Sequence, residues 1–123
     1  MRGMKNKTLV LGASENPDRY SNKAILALQR KGQEILAVGK KAGNVNGTDI
    51  SSAPVQTEDV ETVTLYLNPH NQLPYYDYIL SLKPKRIIFN PGTENGELER
   101  MAAKEGISVL ESCTLVMLST GQY

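Results

Sequence analysis

One cysteine, Cys113, and one histidine, His70, occur in the 123 residues. That excludes a disulfide within the chain and leaves too few thiols and imidazoles for a zinc site. A chain so poor in cysteine fits a reducing compartment, and a cytoplasmic location is expected. Charge of one sign is lacking too, since 14 Lys and Arg face 13 Asp and Glu. No overall field then draws nucleic acid or an anionic membrane, and any anion site must be local. No apolar run approaches the roughly 20 residues that a membrane-spanning helix needs. Residues 1–7 are basic, but the apolar run behind them is broken by Gly12, Ser14, Glu15 and Asn16, which does not read as a signal peptide. Neither G-x-G-x-x-G nor G-x-x-x-x-G-K-[ST] occurs.

What is present is an alternation. With 40% apolar residues the chain can build one core of ordinary size, so residues 1–123 are expected to form a single domain. Thr8, Leu9, Val10 and Leu11 form a short apolar run ended by Gly12, Ala13 and Ser14, the pattern of a strand buried on both faces. Residues 21–31 carry Ala24, Ile25 and Leu28 at helical spacing, with Ser21 as N-cap and Gly32 as stop. Residues 34–38 read as the second strand. From 39 to 59 periodicity is weak, and only a short strand near 48–50 is expected. Strands follow at 62–67, 86–89 and 107–110, and helices at 73–82, with Pro74 in the first turn, and 97–105, with Asn95 as cap and Gly106 as stop. Residues 114–118 read as a helical turn or an edge segment. The fold class is therefore α/β, a Rossmann-like three-layer sandwich with a mostly parallel five- or six-stranded sheet.

Such sheets bind ligands outside the carboxyl ends of their strands, where strand order reverses. Those ends are Gly12 to Ser14, Gly39 to Lys41, Leu67-Asn68, and Asn90, Pro91 and Gly92. Gly12, without a Cβ, lets the backbone turn sharply and approach a ligand, and the helix behind it offers free N–H groups, which together suit an anion. Ser14 adds a hydroxyl and Arg19 a guanidinium fork. A glycine turn that merely joins strand to helix has the same sequence. At the second strand tip, dinucleotide-binding domains place an acid for the ribose hydroxyls, whereas this chain has Gly39, Lys40 and Lys41. Two ammonium groups suit a phosphate on the ribose, as in coenzyme A or NADP, though a solvated basic loop would read alike.

The run from Thr8 to Arg19, with its G-A-S-x-N-P-x-R core, resembles the small stand-alone coenzyme A-binding proteins, which are similar to the nucleotide domain of the succinyl-CoA synthetase α subunit. The later run Asn90-Pro91-Gly92-Thr93, then Gly106-Ile107-Ser108-Val109 and Cys113, is similar to that family's second half. The resemblance implies that Gly12, Ala13, Ser14, Asn16 and Pro17 lie against the CoA pyrophosphate with Arg19 nearby. It also implies Lys41 and Lys40 near the adenosine phosphate, with Leu67, Asn68, Asn90, Pro91 and Gly92 along the rest of the cofactor. The family usually reads Val-Asn-Pro-Lys where this chain has Val38-Gly39-Lys40-Lys41. The expected function is non-catalytic binding of CoA or an acyl-CoA. An NADP-dependent oxidoreductase and a nucleotide-sensing module are the alternatives.

Cys113 could attack a thioester or pair with the CoA thiol, but a lone cysteine just past a buried strand is more often inert packing. His70, without an orienting acid or a nucleophile, fits a helix start better than a catalytic arrangement. Tyr75, Tyr76 and Tyr78 on one short helix cannot all face the core, which suits either a homo-oligomer contact or a core margin. Glu94, Glu97 and Glu99 favour a helix N-terminus through its dipole and do not read as metal ligands.

Overall fold

β1 (Lys7–Ala13) shows why the centre of the molecule is a parallel sheet: Leu9 and Leu11 join one core cluster and Val10 the other, all three at 0% exposure. A strand apolar on both faces needs a layer on each side. The computed structural model describes residues 7–123, and the basic stretch 1–6 lies outside the described residues. Around β1 stand β2 (Glu34–Gly39), β3 (Gly43–Val45), β4 (Thr48–Ser51), β5 (Val60–Leu65), β6 (Arg86–Phe89) and β7 (Ser108–Glu111). Their spatial order is β3-β4-β2-β1-β5-β6-β7, and every pairing is parallel except β3 with β4.

Seven strands, among the described residues, replace the five or six expected, because residues 43–51 fold as a hairpin. Its tip is Asn46-Gly47, at φ +48° and +97°; two successive positive φ values are what a type I′ turn requires. Without β3, the parallel strands taken in chain order lie 3-2-1-4-5-6 across the sheet, the Rossmann order. Strand order reverses between β1 and β5.

One layer is α1 (Tyr20–Arg30) with α5 (Thr114–Ser119), packing Ile25, Leu28 and Leu118 against Val10 and Ile50. Opposite, α3 (Tyr76–Ser81) and α4 (Gly96–Lys104) bring Ile79, Leu98 and Ala102 onto Leu9, Leu65 and Phe89. Residues 114–118 thus belong to a helix. The helix expected over 73–82 starts earlier and is broken. The Asn68 side chain accepts the Asn71 N–H at 2.9 Å, and α2 (Pro69–Gln72) follows with proline at its first position. Pro74, which has no N–H, falls in a 3₁₀ turn (Leu73–Tyr75) between α2 and α3. Ser21 is not the cap of α1: Arg19 holds that place and Ser21 is buried in the first turn. No helix among the described residues is long and apolar enough to cross a membrane.

Candidate functional site

The turn after β1 is shaped by two glycines. Gly12 has φ +98°, and a Cβ there would lie 3.0 Å from the Tyr66 carbonyl carbon and 3.1 Å from its oxygen. The Tyr66 N–H in turn donates to Leu11 O at 2.9 Å, so the ends of β1 and β5 are pressed together where the strand order reverses. Gly39 serves from below: a Cβ on it would sit 2.2 Å from Ala13 O. Beyond Ala13, Ser14 Oγ accepts the Asn16 N–H (3.0 Å), Asn16 Oδ1 accepts the Asp18 N–H (2.9 Å), and Asn22 Nδ2 donates to Ser14 O (3.0 Å). These bonds fold residues 14–18 into a compact lead-in to α1.

The N-terminus of α1 carries no side-chain cap and no acid in its first turn. The amides of Tyr20 and Ser21 have no acceptor one turn back, and the helix dipole adds partial positive charge there. α4 is built the other way, with Asn95 Oδ1 accepting the Leu98 N–H at 3.3 Å and Glu97 and Glu99 in its first turn. Glu94 accepts the Gly92 N–H at 2.9 Å. These glutamates finish a helix end, and the described residues hold no cluster suited to a metal ion.

A cleft of about 980 Å³ opens at this corner. Gly12, Ala13, Ser14, Asn16 and Arg19 line one side, Lys40 and Lys41 the adjoining tip, and Leu67, Asn68, Pro91 and Gly92 the far side. Three residues singled out from sequence are not in the lining. Pro17 is exposed beside it, Gly39 is buried beneath Ala13, and Asn90, 3% exposed, acts as a buried tie. Asn90 Nδ2 donates to Thr64 Oγ1 (2.7 Å) and Leu65 O (2.8 Å), and its Oδ1 accepts the Thr114 N–H (2.8 Å), joining β5, β6 and α5.

Sequence reading missed Glu15, Asp18, Tyr20, Asn71 and Thr93, which also line the cleft. Glu15 matters most. Its Oε2 accepts the Asn44 N–H at 2.8 Å, in space left by Gly43, where a Cβ would be 2.5 Å from the Glu15 side chain. An acid of the first turn is therefore tied to β3, and it shares the cleft lining with Lys40 and Lys41. The lining thus mixes the basic residues Arg19, Lys40 and Lys41 with the acids Glu15 and Asp18.

His70 is exposed in α2 and Cys113 is half-buried at the cap of α5. The tyrosines of 75–78 lie at the core margin. Tyr78 donates to Val55 O (2.8 Å), and Tyr76 donates to Glu97 (3.0 Å) and accepts from Asn95 (2.8 Å). Tyr75 packs on the core. Tyr66 also borders the cleft. Its buried hydroxyl makes no hydrogen bond of good geometry. Burial pushes its pKa up to about 12, against a smaller lowering by the Thr64 and Thr114 hydroxyls, which bond to each other at 2.7 Å.

The family model for the CoA binding domain matches residues 6–119. A solved structure known only as an uncharacterized protein is 53% identical, with a TM-score of 0.93 over 98% of this chain and 99% of that one. A Thermus thermophilus protein, 18% identical, superposes with a TM-score of 0.83 over 97% of this chain and 91% of its own. A dinucleotide-forming acetyl-coenzyme A synthetase of Ca. Korarchaeum cryptofilum, solved with phosphate and ADP, is 19% identical with a TM-score of 0.71; the match covers 89% of this chain and 26% of the synthetase. At these last two identities the likeness is one of fold. No curated protein matches the chain at a significant level.

Proposed function

The chain belongs to the CoA binding domain family, and from that premise we propose that residues 1–123 act as one unit binding coenzyme A or an acyl-CoA, without a catalytic step of their own. The pyrophosphate lies against Gly12, Ala13 and Ser14 and the first-turn amides of α1, with Asn16, Pro17 and Arg19 beside it. The adenosine phosphate meets Lys40 and Lys41. The remaining arm runs between Leu67-Asn68 and Pro91-Gly92, above Asn90.

The observation that carries this reading is the uncapped, acid-free N-terminus of α1 opening on the cleft at the strand reversal. Backbone amides and a helix dipole favour a phosphate there, and a residue without a Cβ at Gly12 lets it approach. Two lysines at the next strand tip supply charge for a second phosphate. The lack of an acid at 39–41 carries less weight, because Glu15 lines the same cleft as Lys40 and Lys41.

Isothermal titration of the protein with CoA, acetyl-CoA, dephospho-CoA and NADP is the test. CoA and acetyl-CoA are expected to bind, and dephospho-CoA more weakly. Replacing both lysines (Lys40→Ala with Lys41→Ala) is expected to weaken CoA about tenfold or more, as loss of charge-assisted phosphate bonds does. Dephospho-CoA should hardly respond. No heat with CoA at millimolar concentration, or tighter binding of NADP, overturns the reading.

A further inference from the structure

Gln72 is at 0% exposure, although it sits in a four-residue helix directly behind the cleft wall. A primary amide has two donor hydrogens and one oxygen to satisfy, and burying it unpaired is costly. Here each group is used. Nε2 donates to Leu67 O and to Thr93 O, both at 2.8 Å, and Oε1 accepts from Asn95 Nδ2 at 2.8 Å. Leu67 and Thr93 line the cleft from two different loops, the one after β5 and the one after β6; Gln72 and Asn95 are not in the lining. The second Asn95 Nδ2 hydrogen goes to Tyr76 Oη at 2.8 Å, while Asn95 Oδ1 caps α4. Thr93 is held in its own loop by Asn90 O, which accepts its N–H at 2.9 Å and its hydroxyl at 2.8 Å.

We infer that Gln72 is the positioning residue that fixes the far wall of the cleft, locking the loop after β5 to the loop after β6 so that the cofactor arm beyond the pyrophosphate meets a preformed channel. The inference rests on the CoA reading above and adds a residue that does not touch the ligand. A preformed wall lowers the ordering cost of binding, so its loss is felt in affinity for the part of the ligand it faces. The phosphate end, formed by the turn after β1 and the lysines, does not depend on Gln72.

The test compares two ligands on the purified chain by titration calorimetry: CoA, and adenosine 3′,5′-bisphosphate, which has the phosphorylated ribose without the pantetheine arm. Gln72→Met keeps the approximate volume but leaves two carbonyls and one amide unpaired, and is expected to weaken CoA about tenfold or more. Adenosine 3′,5′-bisphosphate should change by less than about twofold. Asn95→Ser is the second variant in case the first does not fold, because serine still caps α4 while the bonds to Gln72 and Tyr76 are lost. It is expected to shift the same ratio in the same direction, by less. Equal weakening of both ligands, or no change in their ratio in whichever variant folds, overturns the inference. Failure of the unmodified chain to bind CoA would overturn the functional reading itself, and is seen separately.

Discussion

At single positions the molecule is most exacting where backbone meets backbone. Gly12→Ala would put a methyl 3.0 Å from the Tyr66 carbonyl carbon at a φ of +98°. Such strain costs about 1–3 kcal/mol, so urea unfolding should shift to lower concentration and CoA affinity should fall with it. Gly39→Ala is harsher, because the added carbon would overlap Ala13 O at 2.2 Å. Tyr66→Phe is expected to behave in the opposite sense. The hydroxyl it removes is buried without a good partner, and deleting such a group is neutral or stabilising by about 1 kcal/mol, measurable in the same urea titrations. Glu15 shows why single residues were only partly legible in the sequence. It reads as one more polar residue of a turn, and its place beside Asn44 exists only because β2, β3 and β1 are assembled.

Among the elements, the β3–β4 hairpin has its own support. Gln29 of α1 donates through Nε2 to Val45 O (3.0 Å) and Thr48 Oγ1 (2.8 Å), and accepts from Asn46 Nδ2 (2.9 Å). Gln29→Ala should therefore raise amide exchange at residues 43–51 while leaving β1 and β5 protected, as expected of a locally opening edge. Only the strand near 48–50 was expected here; its partner β3 is three residues long and too weakly patterned to declare a strand, so the hairpin was not legible. The continuous helix expected over 73–82 failed for a local reason. Asn68-Pro69 begins a helix earlier than expected, and Pro74 then forces a tighter turn.

The whole molecule should respond to alkali in one sense. Burial is the first cause of a raised pKa at Tyr66, Tyr78 and Tyr123 alike, and at Tyr66 the value reaches about 12. As pH rises through about 10, unfolded tyrosines lose protons while the folded ones hold theirs. The unfolded state then binds fewer protons than the native one, so stability is intact below about pH 10 and declines toward pH 12. Tyr66 alone accounts for about 2–3 kcal/mol of that decline, and denaturation of Tyr66→Phe should show a shallower slope over the same window. Ligand binding acts on the whole fold too. CoA at about 100 times its dissociation constant should stabilise the chain by about 2.7 kcal/mol, a rise in Tm of roughly 10 °C by thermal scanning.

Short apolar runs stopped by glycine or proline were enough, by themselves, to determine the strands at 8–11, 34–38 and 86–89, the helices over 21–31 and 97–105, and hence an α/β sheet with Gly12 at the tip of its first strand. Those features depend on neighbours a few residues away along the chain. Which tips stand side by side, which acids share the cleft with the lysines, and that Asn90 and Gln72 lie behind the cleft and not in it were decided by the tertiary structure alone. A buried amide is placed by partners some twenty residues away, and nothing in the local pattern of residues records which carbonyl it will face.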